Sequence, residues 1–332
     1  MTARRPWAAP LVPLYAAGLA VEAGLRQVGV PATRKLAWPV VSIGSLSAGG
    51  AGKTPVVIAL AELLKRRGWT VDVLSRGYGR SECGIERVIP DMAGAAQRFG
   101  DEPVLIASRS QIPVWVGGDR YTAGLAAESS IDAARGLHLL DDGFQHRRLA
   151  RTLDVVLVTK ADLEDTLLPA GNLREPLRAL RRADIIVVRE EELEAIEPRL
   201  KQLVLPAIPG WTIRRDLYLP GPIGSQEKAL AFCAIARPEN FLSMLQAAGY
   251  TLANSVLFDD HHPYSMADID RLLLLANQSG ATRFLITEKD QVKLTDAMYQ
   301  RLASVGSVDA VGLRVTFQEE DAVLRELEDR IR

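Results

Sequence analysis

The chain has 332 residues, 48% hydrophobic and 24% charged, enough for two domains and at least one sizeable buried core. Lys plus Arg number 40 against 41 Asp plus Glu, so no global field attracts nucleic acid and an anionic partner must meet local basic clusters. Two distant cysteines, Cys83 and Cys233, fit a reducing compartment and argue against a thiol metal site.

Residues 1–30 open with Arg4-Arg5 and an apolar run from Pro6 to Val21 that contains Pro10 and Pro13. A secretory signal has this outline, but no small-residue cleavage site follows. The prolines count against a spanning helix, which needs about 20 apolar residues. A packed helix and a helix lying on a membrane surface both remain open. Trp7, Leu11, Val12, Leu14, Tyr15, Leu19 and Leu25, flanked by arginines, suit the second.

From Val40 to Val188 strands alternate with helices. The expected strands are Val40–Gly44, Val71–Leu74, Ile112–Val116, Leu137–Leu140, Leu153–Val158 and Ile185–Val188. Nearly continuous apolar strands mean a mostly parallel sheet covered by helices on both faces, with its ligand beyond the carboxyl ends of the strands. Between the first two strands lie Gly49-Gly50-Ala51-Gly52-Lys53-Thr54-Pro55 and a helix to Arg67, closed by Gly68. This reads as a phosphate-binding loop of the P-loop NTPase type: backbone N–H groups cradle phosphates, Lys53 reaches the outer ones, and Thr54 ligates Mg²⁺. Ser47 stands where the common pattern has its first glycine.

The remaining strand ends carry charge. Ser75-Arg76-Gly77-Tyr78-Gly79-Arg80 and Gly117-Gly118-Asp119-Arg120 are glycine loops with guanidinium groups that suit an anionic ligand. Gly100-Asp101-Glu102-Pro103 opens a helix; capping explains these residues, and so does a base next to a metal ligand. Asp141-Asp142-Gly143-Phe144-Gln145-His146 follows an apolar strand, the arrangement that holds the metal opposite Thr54. Thr159-Lys160-Ala161-Asp162 resembles a short guanine-recognition pattern and supports a rival reading, a soluble GTP-dependent switch or metallochaperone-like protein.

The composition shifts over 203–225, where prolines and glycines surround Trp211–Leu219; this predicts a linker with an exposed ribbon. It divides a phosphate-loop unit, 31–202, from a smaller α/β unit, 226–332. The second unit is expected to hold strands Ala229–Ala234, Ser255–Phe258 and Phe284–Thr287 and helices Pro238–Ala248, Met266–Asn277 and Asp321–Ile331. Asp259-Asp260-His261-His262-Pro263-Tyr264 offers a histidine for proton transfer or a plain turn before a capped helix. Thr287-Glu288-Lys289-Asp290 ends a strand and is placed to reach across an interdomain cleft.

Together, Gly44…Gly49-Gly50-Ala51-Gly52-Lys53-Thr54-Pro55, Ser75-Arg76-Gly77-Tyr78-Gly79, Gly100-Asp101-Glu102-Pro103 and Asp141-Asp142-Gly143-Phe144-Gln145-His146 form one series. Leu167-Leu168-Pro169-Ala170-Gly171 with Leu173-Arg174-Glu175-Pro176, then Asp260-His261-His262-Pro263-Tyr264 and Thr287-Glu288-Lys289-Asp290, continue it. The series resembles the tetraacyldisaccharide 4'-kinase (lipid A 4'-kinase) family over nearly the whole chain.

The resemblance implies an ATP- and Mg²⁺-dependent kinase acting on the 4'-hydroxyl of a tetraacylated glucosamine disaccharide 1-phosphate. It implies peripheral residence on the cytoplasmic face of the bacterial inner membrane, with neither nucleic acid nor an obligate protein partner. It puts Asp101 as catalytic base with His261 (or its neighbour His262) orienting it, and Lys53 on the transferring phosphoryl. Thr54, Glu102, Asp141 and Asp142 are the expected metal residues; Arg76, Tyr78, Arg120, Gln145 and His146 the expected substrate residues. Ser45, Ala51 and Asn172 depart from the family's usual Asn, Thr and Pro.

Overall fold

A computed structural model of the chain describes residues 5–203, 208–218 and 227–331. Its twelve strands are β1 (Val40–Ser45), β2 (Thr70–Ser75), β3 (Glu86–Arg87), β4 (Val114–Val116), β5 (Gly136–Asp141) and β6 (Leu153–Val158). They continue with β7 (Ile185–Arg189), β8 (Gly210–Tyr218), β9 (Ala229–Cys233), β10 (Leu252–Leu257), β11 (Arg283–Thr287) and β12 (Ser307–Phe317). All join one sheet in the order β10-β9-β11-β12-β8-β7-β6-β1-β5-β2-β4-β3.

Strands β1, β5 and β6 are buried at every position, as parallel strands between two helical layers must be. The helix Lys53–Arg66 packs Val56, Val57, Leu60, Ala61, Leu63 and Leu64 onto that core. Truncating any of its leucines to alanine removes roughly 2–5 kcal/mol. It ends as the sequence implies: Gly68 takes φ +80°, and the N–H groups of Gly68 and Trp69 donate to the carbonyls of Lys65 and Leu64. Ser265 and Asp268 form the expected capping box at the start of Met266–Ser279.

Two elements differ from expectation. The segment read as a linker ribbon contributes β8, which pairs parallel with β7 and antiparallel with β12 and buries Trp211 and Ile213. Its outer half is exposed, so one partly covered strand mimics a ribbon. The flanking parts of the expected linker, 204–207 and 219–226, lie outside the described residues. The final helix, Glu320–Ile331, packs Val323, Leu324 and Leu327 into the core of the phosphate-loop lobe, with Trp211 and Ile213 of β8 and Val315 and Phe317 of β12, and not into the C-terminal lobe.

Strand β12 explains how the site is assembled. Its first half pairs parallel with β11, ending at Thr287 opposite Val311; its second half pairs antiparallel with β8, beginning at Gly312 opposite Tyr218. The two parallel sets therefore run in opposite directions and point their carboxyl ends at each other across the middle of β12. Each set obeys the rule that ligands lie beyond those ends. Here the two crevices face one another.

The N-terminal segment forms a 3₁₀ turn, Pro6–Leu11, continued by the helix Val12–Gln27. Of the two prolines expected to interrupt it, Pro13 occupies a first-turn position where no N–H is required, and Pro10 lies within the 3₁₀ turn, ahead of the α-helix. The 22-residue stretch Pro6–Gln27 is long and apolar enough to cross a membrane by length and composition. Trp7, Leu14 and Val21 are 77%, 73% and 64% exposed.

Candidate active site

The loop after β1 turns on Gly49, Gly50 and Gly52 at φ +75°, +67° and +88°. A segment beside it acts as a brace: Ala48 N–H donates to Asn172 O at 2.9 Å, and Arg174 N–H to Leu46 O at 2.8 Å. Ser47 forms an antiparallel bridge with Leu173, which is why a β-position residue serves where a glycine is commoner. Lys53 Nζ donates to Ser45 Oγ at 3.2 Å and pairs with Asp142 at 3.2 Å. The Ser45 hydroxyl therefore anchors the lysine.

At the end of β5 the two aspartates are in different states. Asp141 accepts a hydrogen bond from Ser75 Oγ at 2.9 Å, while its Oδ1 is buried with no partner among the described residues. Burial, reinforced by the Glu102 and Asp142 charges, pushes its carboxyl well above the usual range. Burial would raise Asp142 too, but Lys53 and Arg174, the latter at 2.7 Å, hold it low. A buried, unpartnered carboxylate oxygen with the Glu102 and Asp142 charges beside it fits a divalent cation.

Asp101 starts the helix Asp101–Ser110. Gly100 before it has φ +94°, and a Cβ there would lie 2.9 Å from Tyr78 O, so only glycine lets the Tyr78 loop approach the helix start. His261 Nδ1 lies 2.9 Å from Asp101 Oδ2. Lys289, at the end of β11, places Nζ 3.0 Å from Glu102 Oε1, 3.3 Å from His261 Nε2, 3.7 Å from Asp260 and 3.8 Å from Asp101. Burial alone would raise the Asp101 carboxyl; the His261 hydrogen bond and the Lys289 charge outweigh it and hold it below its ordinary value. The same hydrogen bond, against partial burial, raises His261. His262 instead bonds Asp268 at 3.2 Å and stacks on Phe258, which gives it a place in the helix start. Three described non-glycine residues have positive φ, and two of them, Asp142 at +49° and His261 at +62°, are here.

Asp101 and His261 open onto a cavity of about 630 Å³ that Tyr78, Val104, Tyr264 and Leu294 also line. Beside Asp141, Arg120 is 6% exposed with an unpartnered Nε, and Arg80 Nη1 is likewise unpartnered. Burial and then Arg76 pull Arg120 down to about 10 against the opposing Asp141 and Asp142 charges, so it stays charged at neutral pH. Burial and the Arg120 charge push His146 down to about 4, which keeps its imidazole neutral at neutral pH. Gln145 donates to Ser45 O and Glu175, at 3.1 and 3.3 Å, and so braces the loop.

The guanine-like stretch is a helix start: Thr159 and Asp162 form a reciprocal capping box, with Asp162 Oδ2 accepting from Thr159 N and Oγ. Arg189 was not singled out from sequence. It ends β7, is 5% exposed, and donates to Ala51 O at 2.7 Å. A lone arginine closing an apolar strand was the available signal.

Comparison with known proteins completes the description. The family model described as LpxK, tetraacyldisaccharide-1-P 4'-kinase, matches residues 4–332. A tetraacyldisaccharide 4'-kinase of Koribacter versatilis is 41% identical over 326 residues, covering 96% of this chain and 97% of that protein. One from Geobacter metallireducens is 36% identical, covering 92% of each. A crystal structure of LpxK from Aquifex aeolicus in complex with ATP superposes with a TM-score of 0.78 at 31% identity, covering 98% of each chain.

Proposed function

The chain belongs to the tetraacyldisaccharide-1-P 4'-kinase family, and from that premise we propose how its site carries out ATP-dependent phosphorylation of the 4'-hydroxyl of a tetraacylated disaccharide 1-phosphate. One observation carries the reading. A connected set of charges runs from Lys53 through Asp142 and Asp141 to Glu102, Lys289, His261 and Asp101, joining the phosphate loop to a carboxylate that faces the cavity.

The loop amides and Lys53 bind and neutralise the phosphates of ATP. Thr54, Asp141, Asp142 and Glu102 are the residues that would hold Mg²⁺, which when bound offsets charge on the phosphate oxygens. Asp101 accepts the proton of the 4'-hydroxyl. Its low pKa keeps it ionised throughout the neutral range. A weak base suffices, since in a loose transition state positioning matters more than basicity. His261 donates Nδ1–H to Asp101 and fixes its orientation, and Lys289 balances the three carboxylates around it. Arg76 and Arg120 receive the substrate's phosphate, Tyr78 and His146 line its approach, and Gln145 acts through Ser45.

The exposed apolar face of Pro6–Gln27 rests on the cytoplasmic face of the inner membrane, where a tetraacylated substrate keeps its chains. Residues 31–202, extended by β8 and the second half of β12, form the phosphate-loop unit, and β9, β10, β11 and the first half of β12 the closing unit. The test is transfer of label from γ-labelled ATP to a tetraacyldisaccharide 1-phosphate in mixed micelles, with GTP in parallel. Label on the 4'-phosphate with ATP is the expected result. Nucleotide hydrolysis that is indifferent to the lipid would overturn the reading.

A further inference from the structure

The chain leaving β9 turns at Ala234–Arg237 before the helix Pro238–Ala247, and this turn of the C-terminal lobe packs on the phosphate loop. A Cβ placed on Gly49 would lie 3.5 Å from Ala236 Cβ. One placed on Gly50 would lie 2.6, 2.9 and 3.0 Å from Nε, Cδ and Cγ of Arg237. The arginine side chain therefore occupies the space that the missing Gly50 side chain leaves.

The charges around it are unbalanced. Arg189 pairs with Glu192 at 3.1 Å, and Arg215 with Glu191. Arg237 forms no ion pair among the described residues. Burial lowers Arg189, and the neighbouring Arg215 and Arg237 lower it further. Guanidinium groups held near one another around a glycine turn repel unless an anion lies among them. The turn they surround is the one whose amides cradle phosphate.

We propose that Arg237 is a nucleotide-contacting residue supplied by the C-terminal lobe: its guanidinium pairs with the outer phosphate oxygens of ATP on the Gly49–Thr54 loop. It would serve the phosphoryl group as an arginine finger acting within one chain, adding charge opposite Lys53 without exchanging a proton. It also couples nucleotide binding to the seating of the C-terminal lobe, and with it to the approach of His261 and Lys289 to Asp101. The inference rests on the kinase reading above.

The test uses the full chain with Mg²⁺ and compares wild type, Arg237→Ala and Arg237→Lys by titration calorimetry with ATP and with AMP, and by steady-state transfer. Arg237→Ala is expected to weaken ATP by about tenfold or more while AMP stays within about twofold, since only ATP carries the outer phosphates. The KM for ATP rises and kcat falls, the KM for the lipid disaccharide is unchanged, and Arg237→Lys recovers part of the loss. Equal weakening of ATP and AMP, or an unchanged ATP affinity, overturns the proposal. If Arg237→Ala unfolds at lower temperature than wild type, Arg237→Met, which fills the same space without charge, must meet the same criteria. A wild-type protein that binds ATP but never phosphorylates the lipid counts against the kinase reading. An active wild type with indistinguishable variants counts against Arg237 alone.

Discussion

His261 Nδ1 lies 2.9 Å from Asp101 Oδ2, and the bond joins a helix start on one set of parallel strands to a turn on the other. Nothing in the chain between them fixes this contact; it exists because β12 changes partners at Gly312 and brings two sets of carboxyl ends face to face. The bond is thus a contact between lobes and a feature of the reaction site at once.

Asp101 tests the chemistry most directly. Asp101→Ala should retain ATP binding, since among the described residues the carboxylate's partners are His261, Lys289 and the Glu102 N–H and not the Gly49–Thr54 loop, and should lose about 10²–10⁴-fold in turnover. Single-turnover transfer with saturating ATP is the measurement. A rate within about threefold of wild type rejects the assignment as proton acceptor.

The same contact should make stability depend on pH. The Asp101 hydrogen bond raises His261 above its ordinary value of 6.5, so its contribution is full below that value and fades as pH climbs through the higher folded value. Asp101, held low, loses its own contribution only in acid, as pH falls below the ordinary 3.8. The difference in unfolding midpoint between wild type and His261→Gln should therefore be largest between these limits and shrink on the alkaline side. A difference that grows with pH would rule out the charged pair.

Lys289 balances Asp101, Glu102 and Asp260 with a side chain only 17% exposed. Lys289→Met leaves the burial that raises Asp101 opposed only by His261 and the smaller effect of the Lys293 charge. The acid limb of the pH–kcat/KM profile should then move upward, and the plateau should fall by on the order of tenfold. A lower plateau with an unmoved acid limb would make Lys289 a packing residue.

Much of the first sheet was legible because its signal is local. Six apolar strands, the glycine loop and the capping box at Ser265 each follow from spacing within a few residues. Strand β12 was not legible: Ser307–Phe317 has one half in each lobe and is fully buried at only four positions, so neither alternation nor a continuous apolar run marks it. The site divides the same way. Lys53, Asp101 and Asp141 sit at predictable strand and helix ends. The choice of His261 over His262 depends on a turn at φ +62°, the contact of Arg189 on its reach from β7 to Ala51 O, and that of Arg237 on which loop its side chain covers once the lobes meet.

Gly100 connects backbone conformation to the site. With φ +94° and Tyr78 O 2.9 Å from where a Cβ would stand, Gly100→Ala strains the turn and pushes the Tyr78 loop from the start of the Asp101 helix. Destabilisation of about 1–3 kcal/mol is expected. Because Asp101 is the next residue, turnover should fall by more than that loss implies. Denaturant midpoints alongside kcat separate the two effects, and an unchanged kcat would show that Asp101 does not depend on this turn.

The N-terminal helix gives the membrane reading its sharpest test, provided the helix is altered and not removed. Tyr15 donates to Arg174 O at 2.9 Å, and Arg174 in turn holds Asp142 at 2.7 Å. Deleting residues 1–26 would therefore weaken membrane association and disturb the phosphate loop together. Leu14→Glu with Val21→Glu changes two exposed apolar residues and leaves Tyr15 in place. Burying apolar area of this size is worth about 1.5–3 kcal/mol per large side chain, so the double variant should bind anionic vesicles at least about tenfold more weakly. Its kcat on a detergent-dispersed substrate should match wild type, because the Tyr15–Arg174–Asp142 connection is intact. Unchanged sedimentation with vesicles would mean that the exposed face of Pro6–Gln27 does not rest on the bilayer.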